Sequence, residues 1–351
     1  FFRLTRYEGF LKRLFAERPD FLRPESRRNE ILALLEQGLE DISITRSRLG
    51  WAIPFPLQSS GGEEQGTWVW FDALPNYLTA TGYPDKVWRE RWPAQLHVIG
   101  KDITRLHCVI WPAMLQAAEL PLPERVWAHG FVNLGGERFS KSAGVKLELG
   151  EAIDRYGPDA FRYFLLREVP FDGDGSFSWE RFEERYNADL ANAWGNLASR
   201  TISMVERYRG GLVPAAPRGA VDDADAVDYA AYHASMDGSR GYMLHDALRS
   251  VWLTVARGNE YVDRQAPWKL AKDPALATEL DTTLGTLVRQ LARQCVALHP
   301  FMPAKAQALW EQLGGPGQVS EQRFSNFDAL DAAGWTVHKG EPLFPKPERA
   351  A

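Results

Sequence analysis

The sequence predicts an α/β domain followed by an all-α one. Three observations point there. Up to Gly136, short apolar runs alternate with helical spacing, the pattern of a parallel, doubly wound sheet. From Ser178 onward, apolar residues recur at helical intervals and strand-like alternation stops. The 351 residues suffice for two or three domains.

Residues 5–18 and 27–39 carry helical spacing, as in Ile31, Leu34, Leu35 and Leu39, with Pro24 and Ser26 before the second helix start. Residues 41–46 alternate like a strand, and 56–66 read as a loop. Thr67–Phe71 is expected as a strand and Asp72–Ala80 as a short helix. Leu96–Ile99 is a second strand, broken by Gly100 ahead of a helix over Asp102–Leu120. Arg125–Leu134 is a third strand running into Gly135-Gly136. Beyond these, Ser178 is a helix N-cap with Glu180 in the positive first turn, and the helix runs to about Tyr208. Residues 211–222 connect it to helices over 224–264 (broken near Gly238–Gly241), 275–298 and 303–313, packed through Leu244, Leu248, Val251, Leu287 and Leu291.

Charged residues are 25% and hydrophobic residues 45% of the chain, an ordinary globular composition. No run reaches the roughly 18 apolar residues of a membrane helix. Cys108 and Cys295 are isolated and read as buried thiols in a reducing, cytoplasmic setting, without a disulfide framework or a zinc knuckle. A net charge of −5 argues against broad nonspecific nucleic-acid binding but leaves room for a local RNA-reading face.

Four segments carry candidate chemistry. Glu137–Gly144 places Ser140, Lys141 and Ser142 on a loop, two rotatable hydroxyls flanking a compact cation, which suits a polyphosphate or is merely solvated. Trp70-Phe71-Asp72-Ala73-Leu74-Pro75-Asn76-Tyr77 could line an apolar pocket with Asp72 at its rim for an amine; Trp70 and Tyr77 suit a thioether. The other reading is a core strand–helix corner with a capping Asp. Around Gly100-Lys101-Asp102, the glycine permits close approach of a nucleotide, and a carboxylate at a helix start can bind ribose hydroxyls. The other reading makes Asp102 a plain N-cap and His107 a satisfied core histidine. His129-Gly130 stands at the carboxyl end of the third strand, where ligands of such sheets sit. Finally, Asn192, Asn196 and Arg200 are spaced i, i+4, i+8 on one helix face, suitable for unstacked RNA bases or simply solvated. Trp268 can stack on a base or anchor the bundle.

In order, Trp-Phe-Asp-Ala, His-Val-Ile-Gly-Lys-Asp-Ile, His-Gly-Phe-Val, Ser-Lys-Ser, Asn-Ala-Asp-Leu-Ala-Asn, Asn-Leu-Ala-Ser-Arg and Gln-Ala-Pro-Trp resemble the methionyl-tRNA synthetases, class I aminoacyl-tRNA synthetases, over nearly the whole chain. The resemblance implies an ATP-dependent methionine–tRNA ligase with tRNA(Met), methionine and ATP–Mg²⁺ as partners, and no membrane association. It implies that Trp70, Ala73, Tyr77, Leu106 and His107 surround the methionine side chain, with Asp72 near its amine. Gly100, Lys101, Asp102, His129 and Gly130 would hold ATP. Lys141, Ser140 and Ser142, with Arg138, would form the mobile Lys-Met-Ser-Lys-Ser-like loop over the phosphates. Asn192, Asn196, Arg200, Pro267 and Trp268 would read the CAU anticodon.

By the same resemblance, 1–40 is the tail of the connective insertion, 41–136 the second half of the Rossmann-like catalytic domain, 137–177 a stem-contact segment, 178–345 the anticodon-binding bundle and 346–351 a tail. Three departures from the family stand out. Arg138 and Phe139 replace Lys and Met in the loop, Pro75 stands at the pocket rim, and no His-Ile-Gly-His-like motif or zinc-bearing insertion occurs. The chain is therefore expected to be a carboxyl-terminal fragment of a ligase. The alternatives are a catalytically inactive tRNA-binding protein, or one half of a split synthetase whose amino-terminal half is a separate chain.

Overall fold

The computed structural model describes residues 1–47, 51–57, 64–134, 137–138, 149–238 and 241–345. Two compact units, Phe1–Phe131 and Val132–Ala351, divide the chain.

The first unit is built on a parallel sheet of three strands: β1 (Leu22–Arg23), β5 (Val126–His129) and β4 (His97–Gly100), in that order. Val126, Trp127 and Ala128 of the central strand are all buried, as expected of a strand covered on both faces. Helices α1 (Glu8–Glu17) and α2 (Glu25–Gln37) supply Leu11, Leu14, Phe15, Ile31 and Leu35 to the core. Strands β2 (Thr45–Ser47) and β3 (Gln65–Thr67) form a separate antiparallel pair. Gly66 is required there, because a Cβ would fall 2.3 Å from that of Ala52 in the strap crossing it. Three short helices follow: α3 (Val69–Ala73), α4 (Asn76–Thr79) and α5 (Trp88–Arg91). After β4 come a 3₁₀ turn (Lys101–Ile103), a π-helical turn (Leu106–Ile110) and α6 (Trp111–Ala117).

Several expectations are corrected. The strand over Thr67–Phe71 ends at Thr67, pairs outside the parallel sheet and gives way to helix α3. A short run of aromatic and apolar residues has no period of its own, so it fits a buried helix turn as well as a strand. The alternation at 41–46 yields a strand only from Thr45, Ile42 making an isolated bridge to Phe2. The expected third strand is two strands in different sheets, interrupted at Gly130–Phe131. The helix over Asp102–Leu120 contains a 3₁₀ and a π turn and ends at Ala117. Leu22–Arg23, within the stretch read as an insertion tail, forms an edge strand of the parallel sheet.

The second unit begins with a small sheet, ordered β7 (Glu137–Arg138), β6 (Val132–Leu134), β8 (Gly175–Phe177). Helices α7 (Leu149–Tyr156) and α8 (Pro158–Glu168) lie between its strands in sequence. Ser178 caps α9 (Trp179–Arg185) as expected, its hydroxyl accepting from the Arg181 N–H at 3.2 Å. The helix continues through a π-helical stretch, Tyr186–Gly195, into α10 (Asn196–Arg209), which Gly210 ends in the left-handed region. Then come α11 (Ala220–Met236), α12 (Leu244–Gln265), α13 (Pro267–Leu270), α14 (Ala277–Leu298) and α15 (Pro303–Gln312). Leu248, Val251, Leu287 and Leu291 pack the bundle as the periodicity predicts, while Leu244 is only partly buried at its edge.

The bundle core also holds charge. Asp222, at the start of α11, accepts from Arg289 twice at 2.8 Å and from Arg293 at 2.9 Å, and from the Gly219 N–H at 3.1 Å. Burial pushes the Asp222 carboxyl up, but the hydrogen bonds from Arg289 and Gly219 and the two guanidinium charges outweigh it and hold the group below the usual carboxylate range. Asp222→Ala strands two buried guanidinium groups and should cost about 3–5 kcal/mol in urea unfolding. Asp223→Ala, at the exposed neighbouring position, should cost at most about 1 kcal/mol. Equal effects would show that the buried pairing contributes nothing specific.

Candidate active site and RNA-reading face

In the first unit the site grows from the carboxyl ends of β4 and β5. Gly100 lies opposite His129 in the register, so the structure brings Gly100, Lys101, Asp102, His129 and Gly130 to one end of the sheet. Gly100 has φ −72° and ψ 147°, an ordinary extended conformation. Its role is space: a Cβ there would fall 2.8 Å from Asp102 Oδ1. Asp102 sits inside the 3₁₀ turn, so it is not the helix N-cap. The Lys101 ammonium lies 4.6 Å from the Phe131 ring centroid, and His129 Nδ1 is 2.7 Å from the Gly130 carbonyl oxygen.

His107 is carried by the π turn and buried to 2% exposure. Its Nδ1 is 3.0 Å from the Ile103 carbonyl oxygen, which can only accept, so the proton is placed on Nδ1. Nε2 then offers a lone pair to the Tyr77 hydroxyl, which donates to it at 2.8 Å. Burial lowers the His107 pKa, against the bond to Ile103 that raises it, and so favours a neutral ring. The Tyr77 ring meets the edge of His97 at 4.3 Å and packs near Trp111, which with Trp92 closes the cluster. His97 is itself buried, and burial together with His107 lowers its pKa to about 4. The result is an aromatic, uncharged environment with one aligned hydroxyl. This chemistry receives a polarizable apolar group and discriminates against ions.

Trp70, Asp72 and Ala73 lie exposed on α3. Asp72 lines a pocket of about 160 Å³ with Arg46, Trp51 and Trp68. Leu106 lines a cavity of about 310 Å³ with Ser43, Arg46, Trp68 and Arg105. Arg46 stacks over Trp68 at 4.7 Å and is fixed by the carbonyls of Ser43 and Thr45. The sequence reading gave no role to Arg46, His97, Trp92 or Trp111. Only Trp111 left a helical signal, four residues beyond His107. Ser140, Lys141 and Ser142 lie outside the described residues, and Arg138 is placed by its backbone alone, in β7.

In the second unit, α12 ends at Ala266, whose φ of 45° lies in the left-handed region, and Pro267 opens α13. Pro267 is buried, and the reversal leaves Trp268 41% exposed. Trp268 therefore does not serve simply as a bundle anchor. The Arg200 guanidinium lies 6.0 Å from its ring centroid and pairs with Asp263 at 2.8 Å. Asn192 and Asn196 are exposed but line a different groove, beside the segment Lys339–Phe344. The three residues expected on one face are thus divided between two neighbouring places. Asn192 and Asn196, across the end of the π-helical stretch, stay together, and Arg200, one regular α-helical turn beyond Asn196, is drawn to Asp263 and Trp268 instead.

Among the described residues no group of three or more His, Cys, Asp or Glu could hold a metal ion, and no helix is long and apolar enough to cross a membrane. Both cysteines are buried and free, and burial pushes their thiols up.

The model of the class I tRNA synthetases (M) matches residues 1–202, so the chain belongs to the class I aminoacyl-tRNA synthetases. The model of the anticodon-binding domain of methionyl tRNA ligase matches residues 220–349. Methionine–tRNA ligases of Caldanaerobacter subterraneus and Brucella melitensis are 42% and 43% identical over 99% of the chain, which covers 54% and 67% of those proteins. A Mycobacterium tuberculosis methionyl-tRNA synthetase in complex with methionyl-adenylate superposes with a TM-score of 0.86 at 37% identity, over 98% of this chain and 68% of that one. Within its class, the chain is a member of the methionyl-tRNA synthetase family. It spans little more than half to two thirds of the length of these relatives.

The depressed His97 pKa makes a pH prediction. Above pH 6.5 the imidazole is neutral in both the folded and the unfolded chain, and folding is indifferent to it. As pH falls from 6.5 towards about 4, the unfolded chain takes up a proton that the folded one refuses, and stability declines. His97→Phe should flatten this part of the pH–stability curve of unit one, read by urea unfolding. An unchanged slope would show that His97 titrates normally in the fold.

Proposed function

We propose that this chain carries out part of the work of a methionine–tRNA ligase: activation of methionine by ATP to methionyl-adenylate, then transfer to tRNA(Met). The observation that carries this reading is the Tyr77–His107–Ile103 relay inside an uncharged aromatic cluster. Tyr77 and His107 would hold the thioether, beside Trp70, Ala73 and Leu106. Asp72, next to the Arg46–Trp68 stack, would lie near the amine. Gly100, Lys101, Asp102, His129 and Gly130 would hold the adenosine, and Lys141 with Ser140 and Ser142 would stabilise the departing pyrophosphate.

In this scheme the methionine carboxylate attacks the α-phosphorus and pyrophosphate leaves. The terminal ribose hydroxyl of tRNA then attacks the acyl carbon of the adenylate, forming the ester as the acyl–phosphate bond breaks and AMP leaves. The protein contributes position and charge, not covalent chemistry. The Mg²⁺ expected with ATP would arrive on its phosphates. Asn192, Asn196, Arg200, Pro267 and Trp268 would read the CAU anticodon.

A partner in chemistry is part of the proposal. Among the described residues β4 stands at an edge of the parallel sheet. That edge suits one more parallel strand, which favours an amino-terminal half, covalent or separate, over an inactive RNA-binding protein.

The test is methionine-dependent ATP–pyrophosphate exchange, with the chain joined to the amino-terminal portion of a relative. Lys141→Ala should lower exchange by about 10²–10³-fold, the worth of one well-placed charge. Exchange indifferent to Lys141 would refute the assignment. Separately, Trp268→Ala should weaken binding of a CAU-bearing tRNA by about 1–3 kcal/mol; unchanged affinity would leave Trp268 without a role in RNA recognition.

A further inference from the structure

Asn259, on α12, takes no part in the pairs and grooves described above, yet its amide is aimed at the helix that carries Asn192 and Asn196. Its Nδ2 donates to the Val255 carbonyl at 3.0 Å and to the Ala193 carbonyl at 3.3 Å. Both partners can only accept, so the amino end of the amide, not its oxygen, stands between the two helices. The bond to Val255 stays within α12, one turn back, and orients the side chain. The bond to Ala193 crosses to the π-helical stretch Tyr186–Gly195.

That crossing bond lands at a junction. The backbone N–H of Asn196 is shared between the carbonyls of Ala191 and Ala193. One carbonyl oxygen therefore receives both the Asn196 N–H and the Asn259 amide, and Ala193 directly follows Asn192. π-Helical turns are rare, and frequent at functional sites. Here the groups that hold the turn can be named. Trp194, within it, is fully buried. Gly258, beside Asn259, allows the close approach: a Cβ there would fall 2.8 Å from Leu197 Cδ2 and 2.4 Å from Gln290 Oε1. Leu197 is the neighbour of Asn196, and Gln290 is buried with its Nε2 donating to Asp225 at 2.8 Å. Helices α10, α12 and α14 thus meet at Gly258 with no side chain between them, which brings the short Asn259 side chain within reach of Ala193.

Asn259 is half-buried and does not line the groove that Asn192 and Asn196 line. Resting on the RNA-reading assignment made above, we infer that Asn259 is a positioning residue for it: through the Ala193 carbonyl it holds the π-helical stretch in the winding that sets Asn192 and Asn196 together at the surface. It acts through those two residues and makes no contact of its own with RNA.

The test uses the whole chain and two stem–loops, one carrying CAU and one an altered triplet. The readout is the ratio of their dissociation constants. Asn259→Leu keeps the volume, removes both bonds and should narrow the ratio about fivefold. In an Asn196→Ala background the same substitution should narrow it no further. Lower stability in urea with the ratio at its wild-type value would make Asn259 a packing residue and overturn the inference. Equal narrowing in both backgrounds would overturn it too, since Asn259 would then act independently of Asn196. If Asn259→Leu does not fold, Asn259→Ser takes its place: the hydroxyl still reaches the Val255 carbonyl, one turn back, but not Ala193, and the same ratios decide. A wild-type ratio of one, or a ratio unmoved by Asn196→Ala, would instead remove the RNA-reading assignment, and this inference with it.

Discussion

One carboxylate, Asp222, ties the second unit together. It joins the start of α11 to two arginines of α14, and those arginines reach further. Arg289 also donates to the carbonyls of Ala216 and Pro217, in the connection before α11, and Arg293 to those of Asp328 and Leu330. Three segments distant in sequence, 216–222, 289–293 and 328–330, are thus held by one buried set of charges. Such a set stabilises little beyond what apolar packing would, but it admits few alternative arrangements. The face that carries Asn192, Asn196, Arg200 and Trp268 is built on this frame, since α10, α12 and α14 pack through the same core.

Under the proposed assignments the two units would solve recognition differently. In the first, the side chains around Tyr77 are aromatic or neutral, and the one directed hydroxyl is oriented by a histidine whose tautomer is set by a backbone carbonyl. Little charge is buried, which suits a substrate group that has none. In the second, the residues proposed to read RNA carry charge or amide edges at the surface, and Arg200 is paired with Asp263. An exposed ion pair of this kind is worth at most about 1 kcal/mol, so it can be exchanged for a nucleic-acid contact at little cost.

The fold class, and where the candidate site residues fall on it, were legible in the sequence because each left a local mark. The Ser178 cap, the helical periods through Leu248 and Leu291, and the glycine ending β4 depend on neighbours in the chain. What escaped was non-local or aperiodic. The two-residue strand Leu22–Arg23 is too short to show alternation. Val69–Phe71 is an apolar run that tertiary contacts, not period, turn into helix. Arg46 acquires its position from Trp68, and the groove beside Asn192 exists only because residues 339–344 return to the helix. Arg200 parts from Asn192 and Asn196 through its pairing with Asp263, a partner far away in sequence that spacing does not show.

The central proposal is that this chain reads a methionine anticodon. The most direct measurement is equilibrium binding of the purified chain to stem–loops that differ only in the triplet. The account predicts that replacing CAU weakens binding about tenfold or more, roughly 1.4 kcal/mol. Equal affinity for CAU and altered triplets, by a folded chain, would contradict it.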